Sequence, residues 1–262
     1  RLEDGPSADR VDLSVGHVLG LTVAVHRATS IQRFCLRQAK AKIPSYSSDS
    51  EVLELFAKLM QFDHVNALQL LEVYEDAGNL YLLYEYCPSC TLRSALAKHT
   101  WTQEKMANLL REVSCAVADA GRLGVPHMGL SLCHVLLSAD VLRGGDPFFA
   151  KVFGFGLLGC IQGNASDRTC WAPEALQSFT TSFNFVARMD LWKRLACDSW
   201  SLGVVAYSIV SRVPPMRSEA DVLAKRWSFT FDIDLVDPPA HVLIERLLDP
   251  RQETRMAAEA GP

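Results

Sequence analysis

Long apolar runs are missing from this chain. The two longest, Val18 to Val25 and Leu202 to Tyr207, fall far short of the roughly 18 residues that a membrane-crossing helix needs. An excess of positive charge is missing as well. The 26 Lys and Arg face 30 Asp and Glu, a net charge of −4, so no basic excess exists to attract phosphate backbones and nucleic acid is not expected as a main partner. Cysteine is sparse. Eight thiols, at positions 35, 87, 90, 115, 133, 160, 170 and 197, are too few and too scattered in 262 residues for a disulfide scaffold, and free buried thiols are expected instead. The one tight pair, Cys87-Pro88-Ser89-Cys90, has no second pair to complete a zinc tetrahedron, and His127, Cys133 and His134 would serve only if the fold brought them close. Internal repeats and low-complexity tracts are absent. The chain opens on Arg1 rather than Met, as a piece of a longer protein would, so the lack of a signal peptide leaves the compartment unassigned.

What is present is ordinary globular material: 49% hydrophobic, 21% charged, 15 Gly and 12 Pro, enough for one large domain or two small lobes. The first third reads as strands. Leu13 to Val25 is rich in β-formers, and Arg33-Phe34-Cys35-Leu36-Arg37 alternates as a half-buried strand does. Leu68 to Tyr74 and Leu80 to Tyr86 flank Glu75-Asp76-Ala77-Gly78-Asn79, a hairpin turn with Gly and Asn where positive φ is easiest. After the helix-start signal Ser47 to Glu51, the residues Val52, Leu55, Phe56 and Leu59 share one helical face. The remainder reads mainly as helices: Leu92 to Lys98, Thr102 to Leu123 stopped by Gly124, an apolar Cys197 to Val210 stopped by Pro214-Pro215, and His241 to Leu248. Strands first and helices afterwards make an α+β chain, divided near Cys87.

Five strings then fall into one order. Tyr81-Leu82-Leu83-Tyr84-Glu85-Tyr86 resembles the strand and hinge between the lobes of a protein kinase. His127 to Leu137 resembles the catalytic loop, Lys151 to Gly156 the strand entering Asp-Phe-Gly, Ala172-Pro173-Glu174 the Ala-Pro-Glu motif, and Asp198 to Gly203 the start of the buried helix beneath that loop. Asp63-His64-Val65-Asn66 with Glu72-Val73-Tyr74-Glu75-Asp76 is similar to the calmodulin-dependent and calcium-dependent kinase group. The resemblance implies a bilobal protein-kinase-like fold. Residues 1–87 would form a β-rich N-lobe with a five-stranded sheet and one helix, and residues 88–262 a mainly helical C-lobe with an insertion about 178–196.

The same resemblance identifies a run of degenerate positions. The phosphate lid Gly-x-Gly-x-x-Gly keeps no more than one glycine in any register, because Gly16 and Gly20 are four apart. Arg37 matches the phosphate-gripping lysine, and a forked guanidinium is not a conservative replacement there; as the alternative reading it pairs with some other acid or faces solvent. The acid that partners this lysine in the family is matched by Leu55, and Glu54 is one residue away, about 100° around the helix. His134 replaces the metal-binding Asn and Gly154 the metal-binding Asp, whereas magnesium wants oxygen ligands. Gly129 replaces the catalytic base, and Met128 and Ser131 replace the loop's Arg and Lys. Tyr84 takes the gatekeeper position, and with Glu85 and Cys87 completes a vestigial cleft.

Other positions are kept. His127 and Phe155 match two members of the packed column that joins the lobes, with Leu59 a candidate third. Asp198 matches the carboxylate that holds the catalytic loop, and Glu174 an acid that meets an arginine, here Arg255. Glu174 and Asp198 are 24 apart, more than the family pattern, and the extra residues carry Phe183, Phe185 and Trp192. These aromatics make either a docking surface or local core. The expectation is a catalytically inactive kinase-like domain, a pseudokinase, with no cofactor and no metal. It would act as a scaffold or allosteric regulator on a protein partner such as an active kinase or its substrate. The alternatives are a metal-independent nucleotide sensor using Arg37, and a transferase with reassigned residues in which Asp140, Asp146 or Glu85 reaches a metal. No Asp-x-Asp-x-Asp-Gly loop is present, so no calcium site of that kind is expected in this fragment.

Overall fold

The computed structural model describes residues 21–25, 29–39, 49–87, 89–99, 101–138, 149–156, 165–181, 189–227, 229 and 238–257. Among the described residues four antiparallel strands come first: β1 (Leu21–Val25), β2 (Gln32–Ala39), β3 (Leu70–Glu75) and β4 (Asn79–Tyr84), in the order β1-β2-β4-β3. The expected fifth strand falls before Leu21, outside the described residues. The β3–β4 turn is built by Asp76, whose Oδ1 accepts the N–H groups of Gly78 and Asn79, both at 2.7 Å. Helix α1 (Asp49–Gln61) covers one face of the sheet with Leu55, Phe56 and Leu59 buried. That face presents Phe34 and Leu36 from β2 and Leu82 and Tyr84 from β4, in the register Phe34 with Tyr84 and Leu36 with Leu82.

The second lobe is mainly helical. It holds α2 (Leu92–Lys98), α3 (Gln103–Arg122), α4 (Pro173–Thr181), α5 (Leu191–Ser211), α6 (Glu219–Leu223) and α7 (Pro238–Leu247). A small three-stranded sheet, β5 (Ser89–Thr91), β6 (Val135–Ser138) and β7 (Ala150–Val152), lies in the order β5-β6-β7; the strands-then-helices reading did not anticipate it. Thr102 caps α3 by accepting the Lys105 N–H at 3.3 Å, and Gly124 ends it at φ +74°. Helix α5 is buried on all sides from Cys197 to Ile209. Gly203 lets α7 cross it closely, since a Cβ there would lie 2.8 Å from the Cβ of Leu247. The sequence reading started this helix at Cys197; it begins two turns earlier, at Leu191, so the final part of the expected 178–196 insertion is helical. Residues 182–188, with Phe183 and Phe185, lie outside the described residues.

The segment 63–67 ties the lobes together. The Asn66 Nδ2 donates to the Ala150 carbonyl at 3.0 Å, and across this junction the Val152 N–H donates to the Asn66 carbonyl and the Leu68 N–H to the Val152 carbonyl, both at 2.8 Å. His64 faces Asp119 of α3 at 3.4 Å. The similarity seen in Asp63-His64-Val65-Asn66 is therefore a lobe-to-lobe joint. Among the described residues no helix is long and apolar enough to cross a membrane.

Candidate functional site

The loop 125–134 is hung on one carboxylate. Asp198 of α5 is fully buried, and its two oxygens accept the N–H of His127 at 2.7 Å and of Met128 at 2.6 Å. Met128 stands at φ +67°, a left-handed conformation that costs free energy in a residue with a side chain, and the Asp198 bond holds it there. Burial pushes the Asp198 carboxyl up to about 7, against the pull of the two N–H groups and Arg194. His127 is 2% exposed; its Nε2 lies 3.0 Å from the Phe153 carbonyl oxygen, and its Nδ1 accepts the Gly129 N–H at 3.3 Å. Those partners fix a neutral ring protonated on Nε2, consistent with burial lowering its pKa to about 4.

The other polar side chains of the loop close on each other. Ser131 is fully buried, its Oγ lies 3.0 Å from His134 Nδ1, and the same Oγ accepts the Cys133 N–H at 3.2 Å. His134 packs edge-on to His127 with ring centroids 5.0 Å apart, and burial holds it well below the usual histidine pKa. Gly129 is half-buried and Gly154, at φ +93°, is buried between Phe153 and Phe155. Phe155 touches His127 (5.2 Å) and Phe62 (5.6 Å), and Leu59 belongs to the same buried cluster.

On the upper side the structure corrects the sequence reading. Arg37 is exposed, and its Nε donates to Asn79 Oδ1 at 3.2 Å on the outer face of the sheet. Strand alternation turns its neighbour Leu36 inward, where it is 2% exposed in the cluster that contains Leu55. Glu54 points outward and pairs with Lys58 at 2.8 Å. Leu55 lies over Gly156, whose φ is +69°; a Cβ on Gly156 would sit 2.6 Å from Leu55 Cδ1. Gly156→Ala is therefore expected to cost about 2–4 kcal/mol, from overpacking added to backbone strain, read as a lowered urea midpoint.

Glu85 is also removed from the cleft. Its Oε1 accepts Lys151 Nζ at 2.7 Å and the Gln69 N–H at 3.1 Å, so the carboxylate braces the hinge against β7. Sequence reasoning missed Lys151 because its partner is 66 residues away. Tyr84 (3%) and Cys87 (6%) are core residues. Cys87 and Cys90 are both buried, and among the described residues no group of three or more His, Cys, Asp or Glu side chains gathers to hold a metal. Gly16, Gly20, Asp140 and Asp146 lie outside the described residues. Beneath the loop, Arg255 and Glu174 form a bidentate pair at 2.5 and 3.2 Å; the guanidinium also donates to the Ala196 and Asp249 carbonyls and lies 5.1 Å over the Trp200 ring.

Hinge, catalytic-loop region, glycine turn and buried acid now stand in kinase arrangement, and the sequence profile of the protein kinase domain matches residues 16–261. The chain belongs to the protein kinase domain family. This kinase domain is similar to calcium-dependent protein kinase 12 of Arabidopsis thaliana, 24% identical over 261 residues that cover 93% of the chain and 51% of that protein. It is also similar to calcium-dependent protein kinase 26 of Oryza sativa subsp. japonica (25% over 269 residues, 95% and 47%). A third relative is mitosis inducer protein kinase cdr1 of Schizosaccharomyces pombe (25% over 201 residues, 74% and 31%). The chain spans about half the length of the first two relatives and less of the third, so their whole-protein properties stay with them. Within the kinase domain, Trp192 is 50% exposed at the first turn of α5 beside Lys193, whereas Phe179 packs on Trp171 at 5.4 Å. Of the three aromatics singled out in the insertion, Trp192 is at the surface, and Phe183 and Phe185 lie outside the described residues.

Proposed function

We propose that this kinase domain is a pseudokinase, a catalytically inactive domain that acts by binding another protein as a scaffold or allosteric regulator. The observation that carries the reading is the sealing of the positions where active relatives place charge. Arg37, matched to the family's lysine, faces outward, Leu55, matched to that lysine's acid partner, packs in one apolar core with Leu36, and Gly129 and Gly154 bring no side chain. The groups nearby that do have polar atoms are engaged: Ser131 with His134, and Glu85 with Lys151. The matched positions do not fit a magnesium–nucleotide complex, because a hard cation needs oxygen donors and the side chains at Leu55, Gly129, His134 and Gly154 carry none. Arg37 faces outward, so the nucleotide-sensor reading loses the cation on which it depended, and Glu85 is taken from the reassigned-transferase reading.

The retained scaffold supports a binding role. Asp198, His127, Phe155, Glu174 and Arg255 all act in holding the loop and the lobes rather than in chemistry. The partner would be a protein such as an active kinase or its substrate. Thermal melting with ATP and magnesium, and with ATP and chelator, tests the inactivity. A ligand at one hundred times its Kd stabilises by about 2.7 kcal/mol, so a binder would be plain. The expected result is no shift in either condition; a magnesium-dependent rise, or label transferred from γ-labelled ATP, overturns the reading.

A further inference from the structure

We propose that the outer face of the four-stranded sheet is a docking groove for an extended basic segment of a partner protein, with apolar residues among its arginines or lysines. The inference rests on the binding role read above and deepens it, since it names the surface and the chemistry of the partner. Strand alternation turns Phe34, Leu36, Leu82 and Tyr84 inward. Arg33 of β2, Tyr81 and Leu83 of β4, and Glu72 and Tyr74 of β3 therefore share the opposite face. With Ala24 and Val25 of β1, and Thr29 and Ile31 beyond it, they bound a groove of about 860 Å³. That volume lies in the range of about 300–1,000 Å³ that ligand sites occupy.

The solvated side of an antiparallel sheet is ordinarily polar, and this one is not. Ala24 and Leu83 are half-buried in the floor, and Val25, Ile31 and Tyr74 stand exposed around it. The rim is acidic. Glu72, Glu75 and Asp76 face Arg33, the one basic side chain among the described lining residues, so three carboxylates against one guanidinium leave the groove at −2. Arg33 Nη1 donates to the Gln32 carbonyl at 3.1 Å, and the nearby Arg37 is held by Asn79. Tyr74 and Tyr81 lie opposite each other in register. The Tyr81 hydroxyl donates to Asp76 Oδ2 at 2.7 Å and the Tyr74 hydroxyl to Glu72, which keeps each ring beside a carboxylate. Aromatic rings next to carboxylates attract a guanidinium or an ammonium. The Tyr81 hydroxyl and the N–H groups of Gly78 and Asn79 hold the Asp76 carboxyl well below the usual range, so its charge persists. A negative rim repels phosphate backbones and anionic lipid surfaces, and an apolar floor selects against a purely polar cation. A segment that lays apolar side chains on the floor and reaches the rim with long cationic ones satisfies both.

The probe is a fluorescein-labelled peptide, Arg-Leu-Arg-Val-Arg-Leu-Arg, titrated with the whole chain and followed by anisotropy at low ionic strength. Wild-type protein is expected to bind it saturably. Glu72→Lys combined with Glu75→Lys is expected to weaken binding at least about tenfold, and Ile31→Ser to weaken it severalfold. Glu104→Lys with Glu253→Lys makes the same change in net charge at exposed positions away from the groove, and is expected to stay within about twofold of wild type. Glu72 and Glu75 are exposed, so the reversed protein is expected to melt as wild type does; Glu72→Lys alone gives the same comparison if the pair does not fold. Absence of saturable binding to wild type, equal weakening by the two charge-reversed pairs, or equal binding of Glu-Leu-Glu-Val-Glu-Leu-Glu would each overturn the proposal. A wild-type dimer in sedimentation that Ile31→Ser dissociates would overturn it too, by giving the face to a second copy of the chain. No nucleotide enters these measurements, so their failure leaves the inactive-domain reading intact. That reading fails separately, on a magnesium-dependent ATP response of the wild type.

Discussion

Replacing Arg255 with alanine is expected to cost about 3–5 kcal/mol, roughly 10 °C in melting temperature for a chain of this size. The side chain is 0% exposed and Glu174 only 21%, so the truncation strands a half-buried carboxylate in a site built around a guanidinium. It also removes the donors to the Ala196 and Asp249 carbonyls and the cation over Trp200, which together join α4, α5 and the segment after α7. Arg255→Lys keeps the charge but loses the fork, and is expected to fall between the two. Chemical unfolding of the three proteins checks this. A loss below about 1 kcal/mol for the alanine variant would mean that the pair is dispensable.

Asp198→Asn is the second large effect, and it carries a pH signature. Asparagine has one carbonyl oxygen for two N–H donors, and its amide would oppose one of them. The expected loss at neutral pH is at least about 2 kcal/mol, with Met128 no longer held at positive φ. Burial raises the Asp198 carboxyl from its ordinary 3.8 to about 7. Between those values the folded protein holds a proton that the unfolded chain has released. The stabilisation from this proton is complete below about 4 and lost as pH rises through about 7. His127 acts in the opposite direction. Its folded pKa of about 4 lies below the ordinary 6.5, so its contribution is present above 6.5 and lost as pH falls toward 4. His134, also lowered by burial, adds to the histidine side. Asp198 thus partly offsets two histidines in acid. The stability gap between wild type and Asp198→Asn is expected to widen on acidification from pH 7 to pH 4, by about 1.4 kcal/mol per unit. Melting curves across that range check it, and a gap that stays constant or narrows counts against the assignment.

These expectations differ in how much of them could be read without coordinates. The order of motifs, and with it the family, was legible because kinase strings are local in sequence: Ala172-Pro173-Glu174 or Asp198 to Gly203 reads the same in any conformation. The missing side chains at Gly129 and Gly154 are matters of covalent structure. Element ends were legible where a cap is a local device, as at Thr102 and Gly124 around α3; the β3–β4 turn was legible in place, but the Asp76 carboxylate builds it rather than positive φ at Gly78 or Asn79.

The sequence by itself therefore determined the fold family and the lobes in outline, and it supplied the residue matches from which the inactive-domain proposal starts. Only the tertiary structure decided which face of β2 points inward. Arg33 and Arg37 alternate with Phe34 and Leu36, a pattern that favours Phe34 and Leu36 inward, whereas the family resemblance matched Arg37 to the cleft lysine; the pairing with β4 and the packing of α1 decided for Leu36. It also decided that Ser131 closes on His134 and that Glu85 is drawn to Lys151. Hydrogen bonds and ring contacts between groups far apart in the chain leave no periodicity to read, because their energies depend on distances that only the folded backbone sets.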